Sequence, residues 1–221
     1  MKKYIRMMIA LSFLLAATVN ADSVMNYYDN FNGPGSTDLE SQMPAIGPVD
    51  QVWKAHASLS ADGSFTGGMT GCRNGFLAFT PESGKIYMFS TDAAISNPDK
   101  TNKNWVAIAL TGSADISGAK SIAPVGNSAG AATLLLSRNG QGQALLKNGM
   151  KLVTFNPAKT SATLALELNT RKDLWSVRFL VDGSEVASGT FTANPVISHI
   201  AIGQSGTSSG KFSNLSLTVS P

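Results

Sequence analysis

The sequence has one cysteine and two histidines, and Asp, Glu, Lys and Arg together make up only 14% of its 221 residues. A lone Cys72 makes no internal disulfide, and a domain of this length needs none, because about 70% of the unfolded surface is buried on folding at that size. Cys72 therefore reads as a small buried hydrophobe. The histidines, His56 and His199, and the distant cysteine show none of the spacings that zinc ligands adopt. So low a charged fraction beside 43% hydrophobic residues excludes a disordered tail, a coiled coil and a highly charged nucleic-acid binder. No metal or other cofactor is implied.

The apolar run Met7 to Ala17, broken only by Ser12, is shorter than the ~20 residues a membrane-crossing helix needs. It follows Lys2, Lys3 and Arg6 and leads to small side chains at Val19 and Ala21, the layout of a secretory signal peptide cut before Asp22. No cysteine follows the run, as a lipoprotein would require. Residues 1–21 are thus read as a leader and 22–221 as one mature domain with no membrane-spanning segment, destined for the extracellular space or periplasm. The formal net charge of +3 belongs to the leader, whose three basic residues have no acidic counterpart. The mature part is balanced and has no basic cluster, so nothing points to nucleic acid.

Between Asp22 and Pro221 the apolar stretches are short, alternate at period two, and end at Gly, Asn, Asp, Ser or Pro, a pattern of strands throughout. The clearest spans Leu174 to Asp182, with Trp175, Val177, Phe179 and Val181 on one face and Ser176 and Arg178 on the other. Asp182-Gly183 supplies a tight hairpin turn, and Ser184 to Phe191 returns. Asn139-Gly140 and Asn148-Gly149 separate three further strands, Thr133 to Ser137, Gln143 to Lys147 and Met150 to Phe155. Others are expected at Gln51 to Ala57, Gly75 to Phe79, Lys85 to Ser90, Trp105 to Thr111, Thr163 to Leu168, Val196 to Ile202 and Phe212 to Val219. So many strands in one domain imply two stacked sheets. One short helix is expected near Asp38 to Gln42, capped by Thr37.

Three segments resemble a known pattern: Leu174 to Gly183 (LWSVRFLVDG), Ile197 to Gly203 (ISHIAIG) and Gly210 to Leu217 (GKFSNLSL). They look like the closing strands of the concanavalin A-like lectin/glucanase superfamily, including laminin-G-like domains of secreted bacterial proteins, and Tyr28 to Phe31 is similar to its first strand. The resemblance implies an all-β, two-sheet antiparallel jelly-roll sandwich over the mature chain. It also implies where chemistry would be found. Hydrolases of this superfamily place acids at alternating positions of one strand, to flank a glycosidic bond. Here no such set exists: Glu167 is alone on its strand, and Asp182 and Glu185 straddle a turn. Calcium-binding relatives use an acid near the chain start, which Asp29 matches, and a second in the closing strand, where Ser213-Asn214 stands instead.

The remaining candidates are recognition residues. A sugar's C–H face packs on an aromatic ring while its hydroxyls seek polar groups. Trp105 shares its strand face with Ala107 and Ala109, whose small side chains leave room against the ring. Arg178 faces away from the apolar side of its strand, and His199 stands opposite Ile200 and Ile202 on another. Trp105, Arg178 and His199 are therefore the expected ligand-binding residues, lining a shallow groove on a curved sheet. The reading is a secreted, non-catalytic module that binds an extracellular or cell-surface glycan. A structural or adhesive protein, or a hydrolase or lyase with dispersed catalytic residues, are the alternatives.

Overall fold

The computed structural model describes residues 23–65, 72–96, 105–116, 130–137, 142–146, 150–155, 160–205 and 209–221. The leader and the turns at Asn139-Gly140 and Asn148-Gly149 lie outside the described residues. The strands are β1 (Val24–Asp29), β2 (Lys54–Ala55), β3 (Cys72–Ala78), β4 (Ile86–Ser96), β5 (Trp105–Thr111), β6 (Gly130–Ser137), β7 (Gly142–Leu146), β8 (Met150–Phe155), β9 (Ser161–Asn169), β10 (Ser176–Val181), β11 (Ser184–Thr190), β12 (His199–Ser205) and β13 (Ser209–Ser220). No helix occurs among the described residues.

Period-two alternation gives each strand one apolar face, and two sheets bury those faces against each other. A six-stranded sheet has the order β1-β13-β4-β9-β10-β11, and a seven-stranded sheet the order β2-β3-β12-β5-β6-β7-β8. Leu164, Leu166 and Leu168 of β9, Val177 and Phe179 of β10 and Phe89 of β4 form one side of the core. Ile108 and Leu110 of β5, Leu134 and Leu136 of β6 and Ile200 and Ile202 of β12 form the other, all in one cluster. At about 1.5–3 kcal/mol per fully buried side chain of this size, this layer holds the sandwich together. The β10–β11 hairpin turns at Asp182 (φ 49°) and Gly183 (φ 77°), both left-handed as a type I′ turn requires.

Three expectations are corrected. Residues 38–42 form no helix. Leu39 is buried and its N–H donates to the Leu59 carbonyl, while Ser41 takes φ 64° and donates to the Trp53 carbonyl. Burying Leu39 against the core outweighs the local capping signal. The strand expected from Gln51 to Ala57 shrinks to Lys54–Ala55, because the Trp53 backbone is engaged by Ser41 and Gln42. In contrast, β4 continues past Ser90 to Ser96, since Thr91, Ala93 and Ile95 keep the inward alternation, although polar Thr91 and small Ala93 hide it in the residue order.

Candidate functional site

The outer face of the seven-stranded sheet carries two of the three expected residues. Pairing aligns Cys72 of β3, Ser205 of β12, Trp105 of β5 and Ser137 of β6 in one row. Adjacent members sit about 4.8 Å apart across the sheet. All four are half-buried, so the indole lies between two hydroxyls on a face that is neither core nor fully solvated. Half-buried Gln143 of β7 stands in the next row, beside Leu135. Cys72 is thus a surface-row residue rather than the fully buried hydrophobe expected of it.

The floor beside the ring differs from expectation. Ala107, Ala109 and Ala201 are small, as anticipated, but they are sealed together with Phe76, Leu135 and Leu145. Ala114 and Ile116, from the loop after β5, pack over them alongside Trp105. A floor of alanines and leucines is too apolar to face water, so the chain's own loop fills the room that those small residues leave. The same loop reaches Asn74, whose Nδ2 donates to the Asp115 carbonyl at 3.3 Å, while its buried Oδ1 has no hydrogen-bond partner.

His199 lies on the same face but at the other end of the paired strands, opposite Thr111 where Trp105 is opposite Ser205. Six residues of extended chain separate the two levels, roughly 20 Å. Ser198 Oγ sits 2.7 Å from His199 Nδ1, and the ring meets Phe76 edge-on at 5.9 Å. Burial, with the charge of Lys54, holds the imidazole below its ordinary pKa, so it is neutral at neutral pH.

Arg178 is on the far side of the molecule. It projects from the outer face of the six-stranded sheet, opposite Glu167 on β9. Its Nε donates to Glu185 at 2.7 Å and its Nη1 to Glu167 at 3.0 Å. Hydrogen bonds to both carboxylates push the guanidinium pKa up. Trp105, Arg178 and His199 therefore do not line one groove. Alternation placed each correctly on an outward face, but which sheet a strand joins is decided by long-range pairing.

Asp29, matched by resemblance to a calcium-ligand position, points into the core with 7% exposure. Its Oδ1 accepts the Phe31 N–H at 2.8 Å and its Oδ2 the Trp53 indole N–H at 2.7 Å. Burial pushes its carboxyl up, and these two donors oppose the shift. Among the described residues, no three His, Cys, Asp or Glu cluster to hold a metal.

Sequence reading missed a polar concavity on the six-stranded sheet, built from Asp92 and Thr163 with Asp182 of the hairpin. Its signal was weak: polar residues at alternating positions of three strands, Asp92 on β4, Ser161 and Thr163 on β9, Lys211 and Ser213 on β13.

Solved structures share this two-sheet fold. An endo-1,3-β-glucanase from Streptomyces sioyaensis superposes with a TM-score of 0.59 at 12% identity, over 91% of this chain and 98% of that one. The carbohydrate recognition domain of Emp47p gives 0.53 at 13%, over 89% and 96%. The fold is concanavalin A-like. A variant of the Emp46p carbohydrate recognition domain gives 0.53 at 12% identity, covering 86% of this jelly roll and 97% of its own chain. At such identities the likeness is one of architecture. No protein-family model and no curated protein matches the jelly roll described here.

Proposed function

We propose that this chain is an exported carbohydrate-binding protein that performs no reaction on its ligand. The observation that carries the reading is the Trp105 row, a half-buried indole between the Ser137 and Ser205 hydroxyls on an outer sheet face. Such a row offers a ring to a sugar's C–H face and hydrogen-bonding groups to its hydroxyls. The presence of carbohydrate recognition domains among proteins of this fold supports the same class of ligand. Export rests on the leader at residues 1–21.

The states of Asp29, Glu167 and Glu185 support a non-catalytic role. A general acid for glycoside cleavage needs a carboxyl held protonated beside the bond it protonates. Asp29 has the raised carboxyl, but both its oxygens are taken by Phe31 and Trp53 inside the core. Glu167 and Glu185 are both tied to Arg178.

The test is a glycan array probed with the mature protein and with Trp105→Ala, each with and without calcium. Binding to a defined set of glycans that falls at least about tenfold in Trp105→Ala is the expected result. Trp105→Phe should keep most of it. Absence of binding by the unaltered protein in every condition would overturn the reading. New reducing ends on incubation with mixed polysaccharides would overturn the non-catalytic part.

A further inference from the structure

The two sheets turn their outer faces in opposite directions, and the six-stranded one has a cleft of its own, about 670 Å³. That lies within the range of small-ligand sites, roughly 300–1,000 Å³. Two rows build it. Ser213, Asp92 and Thr163 align across β13, β4 and β9, and the next row aligns Lys211, Ala94 and Ser161. Asp182 closes one side from the β10–β11 turn.

Thr163 holds the two carboxylates in place. Its Oγ1 donates to Asp92 Oδ1 at 2.5 Å and its backbone N–H donates to Asp182 Oδ1 at 3.0 Å. The other Asp92 oxygen accepts the Asn214 amide at 2.8 Å. Asn214 reaches it from a bulge in β13, where the register shifts between Ser213 and Ser216 and Asn214 adopts φ 52°. A bulge of this kind re-aims a side chain that regular pairing would leave elsewhere. Below it, Thr91 Oγ1 donates to the Ser213 carbonyl at 2.7 Å, tying the bulge to the buried side of β4. The cleft wall is therefore anchored to the core rather than carried on a loop.

A carboxylate has two oxygens with about two lone-pair sites apiece, and these accept from a ligand's donors as well as from the protein's. Lys211 and the serine and threonine hydroxyls supply donors beside them. Acceptors, donors and small alanines, with no aromatic ring among the described lining residues, suit a hydroxyl-rich ligand held by hydrogen bonds. We infer that this cleft is a second saccharide site, making the protein bivalent: it binds one glycan unit at the Trp105 row and another on the opposite face. The inference rests on the carbohydrate reading above but uses none of the Trp105 residues.

Linking two sites on opposite faces lets one molecule bridge two polysaccharide chains, which a single site cannot do. The experiment coats a surface with a neutral polysaccharide, adds protein, and measures capture of the same polysaccharide in fluorescent soluble form. The proteins are the unaltered chain, Trp105→Ala, the double variant Asp92→Asn/Asp182→Asn, and all three changes together. Direct binding is measured in parallel on a saccharide array with neutral, aminated and acidic members.

Bridging by the unaltered chain, lost in both Trp105→Ala and the double variant while each still binds saccharide singly, is the expected outcome. Single binding abolished by Trp105→Ala and unchanged in the double variant overturns the second site and leaves the first standing. Loss confined to the double variant overturns the Trp105 reading instead. Binding only to aminated members, fading with salt, shows charge pairing and overturns hydroxyl recognition. Chemical-shift mapping on the unaltered protein guards against misfolding: neutral saccharide should move the amides of Thr163, Asp182 and Asn214, and no movement there overturns the site.

Discussion

A carboxylate in the core, Asp29, serves two donors. Without its side chain the Trp53 indole N–H and the Phe31 amide N–H lose their acceptors, at about 1–3 kcal/mol each. Asp29→Ala is therefore expected to lower unfolding free energy by about 2–5 kcal/mol in chemical denaturation, followed through tryptophan fluorescence. Arg73 is the contrary case. It faces inward opposite Gln204, is 2% exposed, and both terminal nitrogens of its guanidinium lack hydrogen-bond partners. An uncompensated buried charge costs more than an apolar side chain of similar reach, so Arg73→Met should stabilise by about 1–4 kcal/mol in the same assay. The histidines set a pH window. Burial first, and then nearby positive charge, lowers the folded pKa of both His56 and His199. Their contribution is complete above the ordinary value of about 6.5 and is lost as pH falls through the lower folded values. Melting temperature should thus drop on acidification below about pH 6.5, and the double variant His56→Gln/His199→Gln should flatten that slope. Asp29, raised by burial, acts in the opposite sense and stays in both proteins.

Two glycines show how far local sequence carries at the level of an element. Gly183 has φ 77° with nothing near where a Cβ would stand, so Gly183→Ala meets only backbone strain, about 1–2 kcal/mol. Gly63 has the same φ, but a Cβ there would stand 2.2 Å from the Phe212 carbonyl oxygen. Gly63→Ala should therefore destabilise far more, and a pair of thermal melts separates the two. Asp182-Gly183 was legible as a turn because its signal is local. The role of Gly63 was not, since its reason lies on β13. The same division holds for the strands and the candidate site. Trp105 to Thr111 and the alternation of Leu164, Leu166 and Leu168 appeared directly in the residue order. That Arg178 belongs with Glu167 and Glu185, and that Ala114 and Ile116 fill the floor beside Trp105, depends on which strands become neighbours. Thr163 looked like any polar strand residue until β4 and the hairpin brought Asp92 and Asp182 to it.

At the scale of the whole molecule, β13 lies between β1 and β4, pairing Val24 with Val219 on one side and Ile86 with Ser220 on the other. Among the described residues, the first strand finds its ladder partner in the last, with one isolated bridge from Tyr28 to Ile46 besides. That edge therefore forms only when strands from the two ends of the chain meet, whereas the β10–β11 hairpin pairs across a two-residue turn. Cutting β13 away would leave β1 without a strand beside it and β4 with a bare edge, so the two ends of the chain together hold that side of the sandwich shut.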